Sequence, residues 1–282
     1  MKIAFGIILC NGDDFLEECV QQVYDFADQI VIAEGATRTW MRTFQWETPE
    51  SKDKTNDILK RLKKNDKDNK ISIVHSLWDD KIHQSNGYME LVDDDTDYIW
   101  QLDSDEFYMF DDLEKVKNYL IKESPSYVTV KQLHFFKNFE TIATGQSQGW
   151  GWETPQPRIQ KFYKGCRYIE HRPPMIVNPQ TNIPNDQIKL QNLTEQTEVM
   201  CFHYSYVTDK QVREKMAYYA EEFPQAPRLK TWIKDVWEQW DTNKEFVEKI
   251  FGTHPTAWQN SYTIPYKCDH PEQMREKVNN GI

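Results

Sequence analysis

An α/β fold with a mostly parallel central sheet flanked by helices is predicted by three features of the sequence. Short apolar runs of strand length recur through the first hundred residues, helix-period segments separate them, and the run "YIWQLDSDEFY" ends in a cluster of carboxylates. Strands alternating with helices build parallel sheets, because each crossover helix returns the chain to the same end. Ligands of such sheets collect beyond the carboxyl ends of the strands.

Taken in order, the apolar run Ile3–Leu9 predicts a first strand. Asp13 or Asp14 is placed to cap a helix whose apolar positions are Phe15, Leu16, Val20, Val23 and Phe26. Residues 29–35 read as a second buried strand, 55–65 as a helix, 71–77 as a third strand, 85–94 as a helix and 97–103 as a fourth strand. Beyond Asp111 the order loosens. A helix is predicted over 111–123, one strand over 126–136, and a long loop rich in Gly, Thr and Trp from Lys137 to Gln156. Residues 157–177 suggest a β-hairpin pair, 178–198 are polar and irregular, and two helices follow at about 208–222 and 229–250. The expected organisation is one domain in two halves, 1–110 for a ligand at the strand ends and 111–282 completing the other side with hairpin and helices.

At 282 residues and 39% hydrophobic content the chain can bury a full core. Its 10 Trp, 14 Tyr and 14 Phe exceed what a minimal core needs, and such an excess commonly lines a ligand cleft. The formal charge of −11 repels polyanions, which disfavours a general nucleic-acid scaffold. Five cysteines without CxxC spacing argue against a disulfide framework or a zinc ribbon and fit reduced thiols in the cytoplasm. The run Ile3–Cys10 enters Asn-Gly-Asp-Asp without a small-residue cleavage site, so it reads as a strand and not as a leader. No stretch approaches the roughly 20 apolar residues of a membrane span.

Asp103 and Asp105 stand at the end of the fourth strand with Glu106 beside them. Hard cations such as Mg2+ and Mn2+ take oxygen ligands, often one or two carboxylates plus substrate phosphates. The second strand ends at Glu34 and Gly35, where a nucleoside can pack against a carboxylate, and the first at Cys10-Asn11-Gly12, a small polar turn that allows close approach.

These segments carry a resemblance. "IILCNGDDFLEECVQQVYDFADQIVIAEGATRT" resembles the opening of the family-two-type glycosyltransferases of GT-A fold, and "DYIWQLDSDEFY" resembles their metal-binding DxD strand end. The likeness is good over roughly residues 2 to 110 and loose beyond. It implies a nucleotide-diphosphate sugar donor, with Mn2+ or Mg2+ bridging the diphosphate to the DxD motif. Asp105 would then ligate the metal, and Asp103 would bind it through water or hold the ribose. Glu34, where the family usually has Asp, would hold the nucleoside. Asn86 matches a polar residue that precedes the DxD strand, where the family often has Arg-Asn; here Ser85 precedes it, with Lys81 nearby in sequence.

The same resemblance implies a third metal ligand from the C-terminal half, for which "VMCFHYSYV" offers His203. An inverting transfer needs a carboxylate base at the acceptor hydroxyl. Glu153 in "GWGWETPQPR" is the first candidate, with Glu170 or His171 as other options. Trp150 and Trp152 supply flat faces for an acceptor wall or a lid, and Arg38 and Arg42 supply cations near the nucleotide end. The expected function is a metal-dependent, cytoplasmic glycosyltransferase acting on a glycan, lipid-linked precursor, protein or modified DNA base. Two readings compete: a nucleotidyltransferase, whose usual Gly-rich loop with lysine is missing from "CNGDD", and a non-catalytic nucleotide-sugar-binding protein.

Overall fold

Ile3–Leu9 and Gln29–Glu34 are buried almost residue for residue, which an apolar strand tolerates only when the sheet is covered on both faces. A computed structural model of the chain describes residues 1–147, 150–256 and 260–281. The elements follow in the order β1 (Ile3–Leu9), α1 (Leu16–Tyr24), β2 (Gln29–Glu34), α2 (Arg38–Phe44), α3 (Thr55–Asn65), β3 (Ile71–His75), α4 (Lys81–Met89), β4 (Tyr98–Gln101), β5 (Glu106–Phe107), α5 (Phe110–Glu123), β6 (Tyr127–Val130) and β7 (Gln132–Phe136). They continue with β8 (Thr141–Thr144), β9 (Gln146–Ser147), β10 (Trp150–Gly151), β11 (Gln156–Lys161), β12 (Arg167–His171), β13 (Pro174–Val177), β14 (Leu190–Asn192), α6 (Leu193–Thr197), β15 (Cys201–Tyr206), α7 (Asp209–Glu222), α8 (Trp240–Ile250), β16 (Tyr262–Pro265) and α9 (Arg275–Asn280). The chain divides into two compact units, residues 1–130 with 156–199, and residues 131–155 with 200–282.

The first unit is built on a seven-stranded sheet of order β14-β6-β11-β4-β1-β2-β3. The pairs β4/β1, β1/β2 and β2/β3 are parallel, whereas β11 runs antiparallel to both β4 and β6. Leu9 pairs with Glu34 and Gly6 with Gln101, so β1, β2 and β4 end at one edge of the sheet. Helix α4 packs on β1 and β2, and Tyr88 and Met89 from it join Ala4, Val31, Ala33 and Ile99 in the core. A Cβ at Gly6 would sit 2.5 Å from the Tyr88 ring, which makes this close approach of helix to strand a glycine position.

The second unit arranges β16, β8, β7 and β15 side by side, with β7 and β15 parallel and the other pairs antiparallel. Its core is aromatic. Trp152, Trp232, Trp237 and Trp240 close around Phe136 and Tyr206, and the Trp232 indole N–H donates to the Thr253 carbonyl at 3.1 Å.

Element boundaries depart from the sequence expectation at several places, and at the start of α4 a local polar contact accounts for the difference. Neither Asp13 nor Asp14 caps α1; Phe15 holds the cap position, and Asp13 Oδ2 accepts the Lys54 amide instead. Helix α4 begins at Lys81, four residues earlier than expected, because Asp80 accepts the His83 amide at 2.8 Å and starts it. The single strand expected over 126–136 is two, β6 in the first unit and β7 in the second. Of the hairpin expected over 157–177, only β12 and β13 pair with each other, since β11 is taken into the main sheet between β4 and β6. The expected loop from Lys137 contains β8, β9 and β10.

Trp232 is fully buried in the aromatic core. Replacing it by alanine is expected to cost about 3–5 kcal/mol, which a urea titration would read as a lower midpoint at unchanged slope.

Candidate active site

Strand β4 is buried at every position, with β1 paired to one of its edges and β11 to the other. The Leu102 amide still donates to the Gly6 carbonyl, so the ladder holds Asp103 where the sheet ends. From there the chain turns, with the Glu106 amide donating to the Asp103 carbonyl at 3.0 Å. Glu106 is completely buried, and its carboxylate closes this turn: Oε2 accepts the Asp103 amide at 3.2 Å, while Oε1 accepts Arg158 Nε at 2.9 Å and also Nη2. Arg158, on β11, gives Nη1 to the Pro157 carbonyl and reaches Asp103 Oδ2 with Nη2 at 3.3 Å.

The neighbouring side chains fix this turn from below. Gln22 on α1 donates to the Glu106 carbonyl at 2.7 Å and accepts the Tyr108 amide at 3.0 Å. The Cys19 thiol donates to the Asp103 carbonyl at 3.6 Å; burial first, then the charges of Glu106 and Asp105, push its pKa well above the usual thiol range, so it stays protonated. Asp105 is buried, 6% exposed, whereas the Asp103 side chain keeps 35% of its surface. Two carboxylates at a rigid strand end, one of them open to solvent, suit a hard divalent cation that draws its remaining ligands from water and phosphate. Among the described residues no group of three or more His, Cys, Asp or Glu side chains is gathered to hold a metal.

At the ends of β1 and β2 the polar groups are engaged by the segment 49–55. Asn11, at φ +52°, donates its amide to Ser51 Oγ at 2.9 Å and accepts the Lys52 amide on Oδ1 at 2.9 Å. The Gly12 amide donates to Thr55 Oγ1 at 2.8 Å. Glu34, 1% exposed, accepts the Ser51 amide on Oε1 at 2.8 Å and faces His75 Nδ1 through Oε2 at 3.0 Å. Gly35 is at φ +128°, and a Cβ there would lie 2.0 Å from the Ser76 carbonyl. Gln84 gathers this corner: its Nε2 lies 3.0–3.1 Å from the carbonyls of Leu9, Ala33 and Gly35. Arg38 is exposed and pairs with Asp79 at 2.5 Å. Asn86 spends both ends of its amide on the backbone of Tyr168, at 3.0 and 2.8 Å, and so ties β12 to α4.

The remaining predicted residues belong to the second unit. Glu153 accepts hydrogen bonds from Thr144 Oγ1 at 2.5 Å and the Gly145 amide at 3.0 Å, and these hold its carboxyl below the usual range. Trp152 is buried, donating to Thr253 Oγ1 at 2.9 Å, with its ring against Tyr206 and His254. Trp150 lies in β10, and its side chain is outside the described part of the structure. His203 is half-buried on β15, its Nδ1 3.0 Å from His134 Nδ1, so one ring donates and the other accepts. Arg158, Gln84, Ser51 and His75 escape the sequence reading, because each is defined by a partner at least 17 residues away. An arginine in the otherwise buried run "PRIQKF" is the one local signal.

Residues 50–177, a little under half of the chain and including Asp103, Asp105, Glu106 and Arg158, match the model of the family described as Glycosyl transferase family 2. Over that segment the chain is similar to the family 2 glycosyltransferases. The sheet that this segment helps to build gives an α/β fold of the GT-A type. No curated protein matches the sequence. Among solved structures, TarS from S. aureus is 10% identical, with a TM-score of 0.45 over 88% of this chain and 47% of that one. The chain therefore spans about half the length of that protein. TarS 1-349 in complex with UDP-GlcNAc is 10% identical, with a TM-score of 0.42 over 88% of this chain and 75% of that one. A 4-diphosphocytidyl-2C-methyl-D-erythritol synthase from Anaerococcus prevotii is 15% identical, with a TM-score of 0.33 over 57% and 71%.

Gly35→Ala is expected to destabilise the corner at the ends of β1 and β2 by more than about 1 kcal/mol, since neither the backbone angle nor the Ser76 carbonyl accommodates a methyl group. Thermal unfolding of the variant checks this.

Proposed function

We propose that the protein is a metal-dependent glycosyltransferase that moves a sugar from a nucleotide-diphosphate sugar to an acceptor hydroxyl. The observation that carries this reading is the turn at the end of β4, where Asp103 and Asp105 follow a buried strand inside the segment that matches the family 2 glycosyltransferase model. A Mn2+ or Mg2+ ion held by Asp103 and Asp105, with its remaining ligands from water and phosphate, would supply electrostatic stabilisation to the departing diphosphate. Asp103, the more exposed of the two carboxylates, is suited to meet the donor or a bound water; Asp105, buried, is suited to a fixed ligand role. Asn11, Glu34, Gly35, Arg38 and Asn86 are the candidates for the nucleoside end.

The acceptor hydroxyl must lose a proton in an inverting transfer, and Glu153 is the candidate base. Its carboxylate is oriented by the Thr144 hydroxyl and the Gly145 amide. Glu153→Gln is expected to lower turnover by about 100-fold or more while leaving nucleotide binding unchanged, as steady-state kinetics with a calorimetric control would read.

Nucleotidyl transfer is the weaker reading. The amides of Asn11 and Gly12 are turned to Ser51 and Thr55, so this turn does not offer them as a phosphate cradle. Five cysteines without CxxC spacing support a reducing compartment such as the cytoplasm. No helix among the described residues is long and apolar enough to cross a membrane.

Thermal unfolding against uridine, guanosine, adenosine, cytidine and thymidine diphosphates, with and without manganese, tests the proposal. A ligand at a hundred times its Kd adds about 2.7 kcal/mol, which raises Tm by roughly 5 °C or more in a chain of this size. The shift is expected for one nucleotide, only with manganese, and is expected to vanish in Asp105→Ala. No shift with any of the five would overturn it.

A further inference from the structure

The guanidinium of Arg158 is shared unequally between two carboxylates. Glu106 Oε1 receives both Nε and Nη2, while Asp103 Oδ2 receives only Nη2, at 3.3 Å. Charge-assisted N–H···O bonds are ordinarily about 2.7–2.9 Å, so the contact with Asp103 is the loose one. Glu106 lies at 0% side-chain exposure, Arg158 at 7% and Asp103 at 35%. The pair inside is therefore a closed unit that leans on a carboxylate facing out. Glu106 also fixes the main chain of Asp103 through the amide accepted by Oε2.

We infer that Arg158 and Glu106 are a positioning pair for Asp103, which orients its carboxylate for a cation while leaving its charge available. The inference rests on the metal-dependent reading above. The charges set the logic. Asp103, Asp105 and Glu106 against Arg158 leave two negative charges, the complement of one divalent ion. While Glu106 occupies the guanidinium, Asp103 is oriented by it and still presents its negative charge. Without the charge of Glu106, Arg158 has Asp103 left as its partner in this group, and the cation meets a carboxylate already paired. Without both charges, Asp103 recovers its availability and loses its holder, yet the net charge seen by the cation is the same as in the wild type.

The metal affinities are therefore ordered in a way that a merely structural role does not produce. Wild type binds tightest, Glu106→Gln combined with Arg158→Met is intermediate, and Glu106→Gln alone is weakest. Partners that orient a metal ligand are worth about 10-fold to 100-fold in affinity, so roughly 10-fold is expected for the double variant and roughly 100-fold for the single one. Manganese binding is read from the loss of the free-ion EPR signal, with each of the five nucleoside diphosphates present in turn. The ligand-free Tm of each protein is measured alongside.

Glu106→Gln that retains wild-type affinity, or a double variant no tighter than the single one, overturns the positioning pair. Arg158→Lys covers the case in which Glu106→Gln does not fold. Lysine keeps the charge but cannot fork to both carboxylates, and it is expected to bind manganese about as weakly as the double variant; wild-type affinity in it counts against the proposal. A wild type that binds no manganese under any of these conditions removes the metal reading itself, and the pair with it.

Discussion

A buried ion pair at the end of one strand governs the arrangement around it. Taking Glu106 and Arg158 out of water is costly, and their attraction offsets that cost only when the remaining donors and acceptors are used. Here they are: the second oxygen of Glu106 takes a backbone amide, and the third nitrogen of Arg158 takes a backbone carbonyl. This gives the β4 turn a fixed geometry. Asp103 is consequently presented by hydrogen bonds on both its main chain and its side chain, on a strand whose own ladder runs to the preceding residue.

The corner formed by β1, β2 and α4 follows a different principle. Its polar groups are numerous but mutually satisfied, with Gln84 drawing three carbonyls together and the segment 49–55 returning a donor or acceptor to each of Asn11, Gly12 and Glu34. A ligand entering this corner would exchange partners with groups already bonded, so its gain per contact is a difference between two hydrogen bonds. The β4 end, with its half-exposed aspartate, is where new bonds can be made with less to undo.

Much of the fold was legible in the sequence wherever the signal was local. The apolar runs of β1 and β2 and the helical period of α3 fall within a residue of where the pattern places them. The carboxylates at the end of β4 were legible for the same reason, since the strand pattern and the acidic cluster adjoin. What was hidden is long-range. Arg158 is 52 residues from Glu106, and nothing in its own neighbourhood says that its strand will insert beside β4. Trp152 shows the converse: a tryptophan between glycine and glutamate in a predicted loop reads as an exposed platform, yet its indole finds Thr253, 101 residues away, and is buried. The early start of α4 was hidden by a single side chain, Asp80, whose capping bond outweighs the polar look of its first turn.

Strand β11 has one more consequence. It is central to the first unit, but the chain reaches it only after passing through β7 to β10 of the second. A polypeptide ending anywhere between Val130 and Gln156 would hold β4 with one edge unpaired and Glu106 charged without its arginine. Such an edge is a template for unwanted strand pairing, and closing it requires a contact of long sequence separation, the kind that forms slowly. The acidic strand end is thus assembled late, so a nascent or truncated chain carries the carboxylates before it carries the structure that makes them a site.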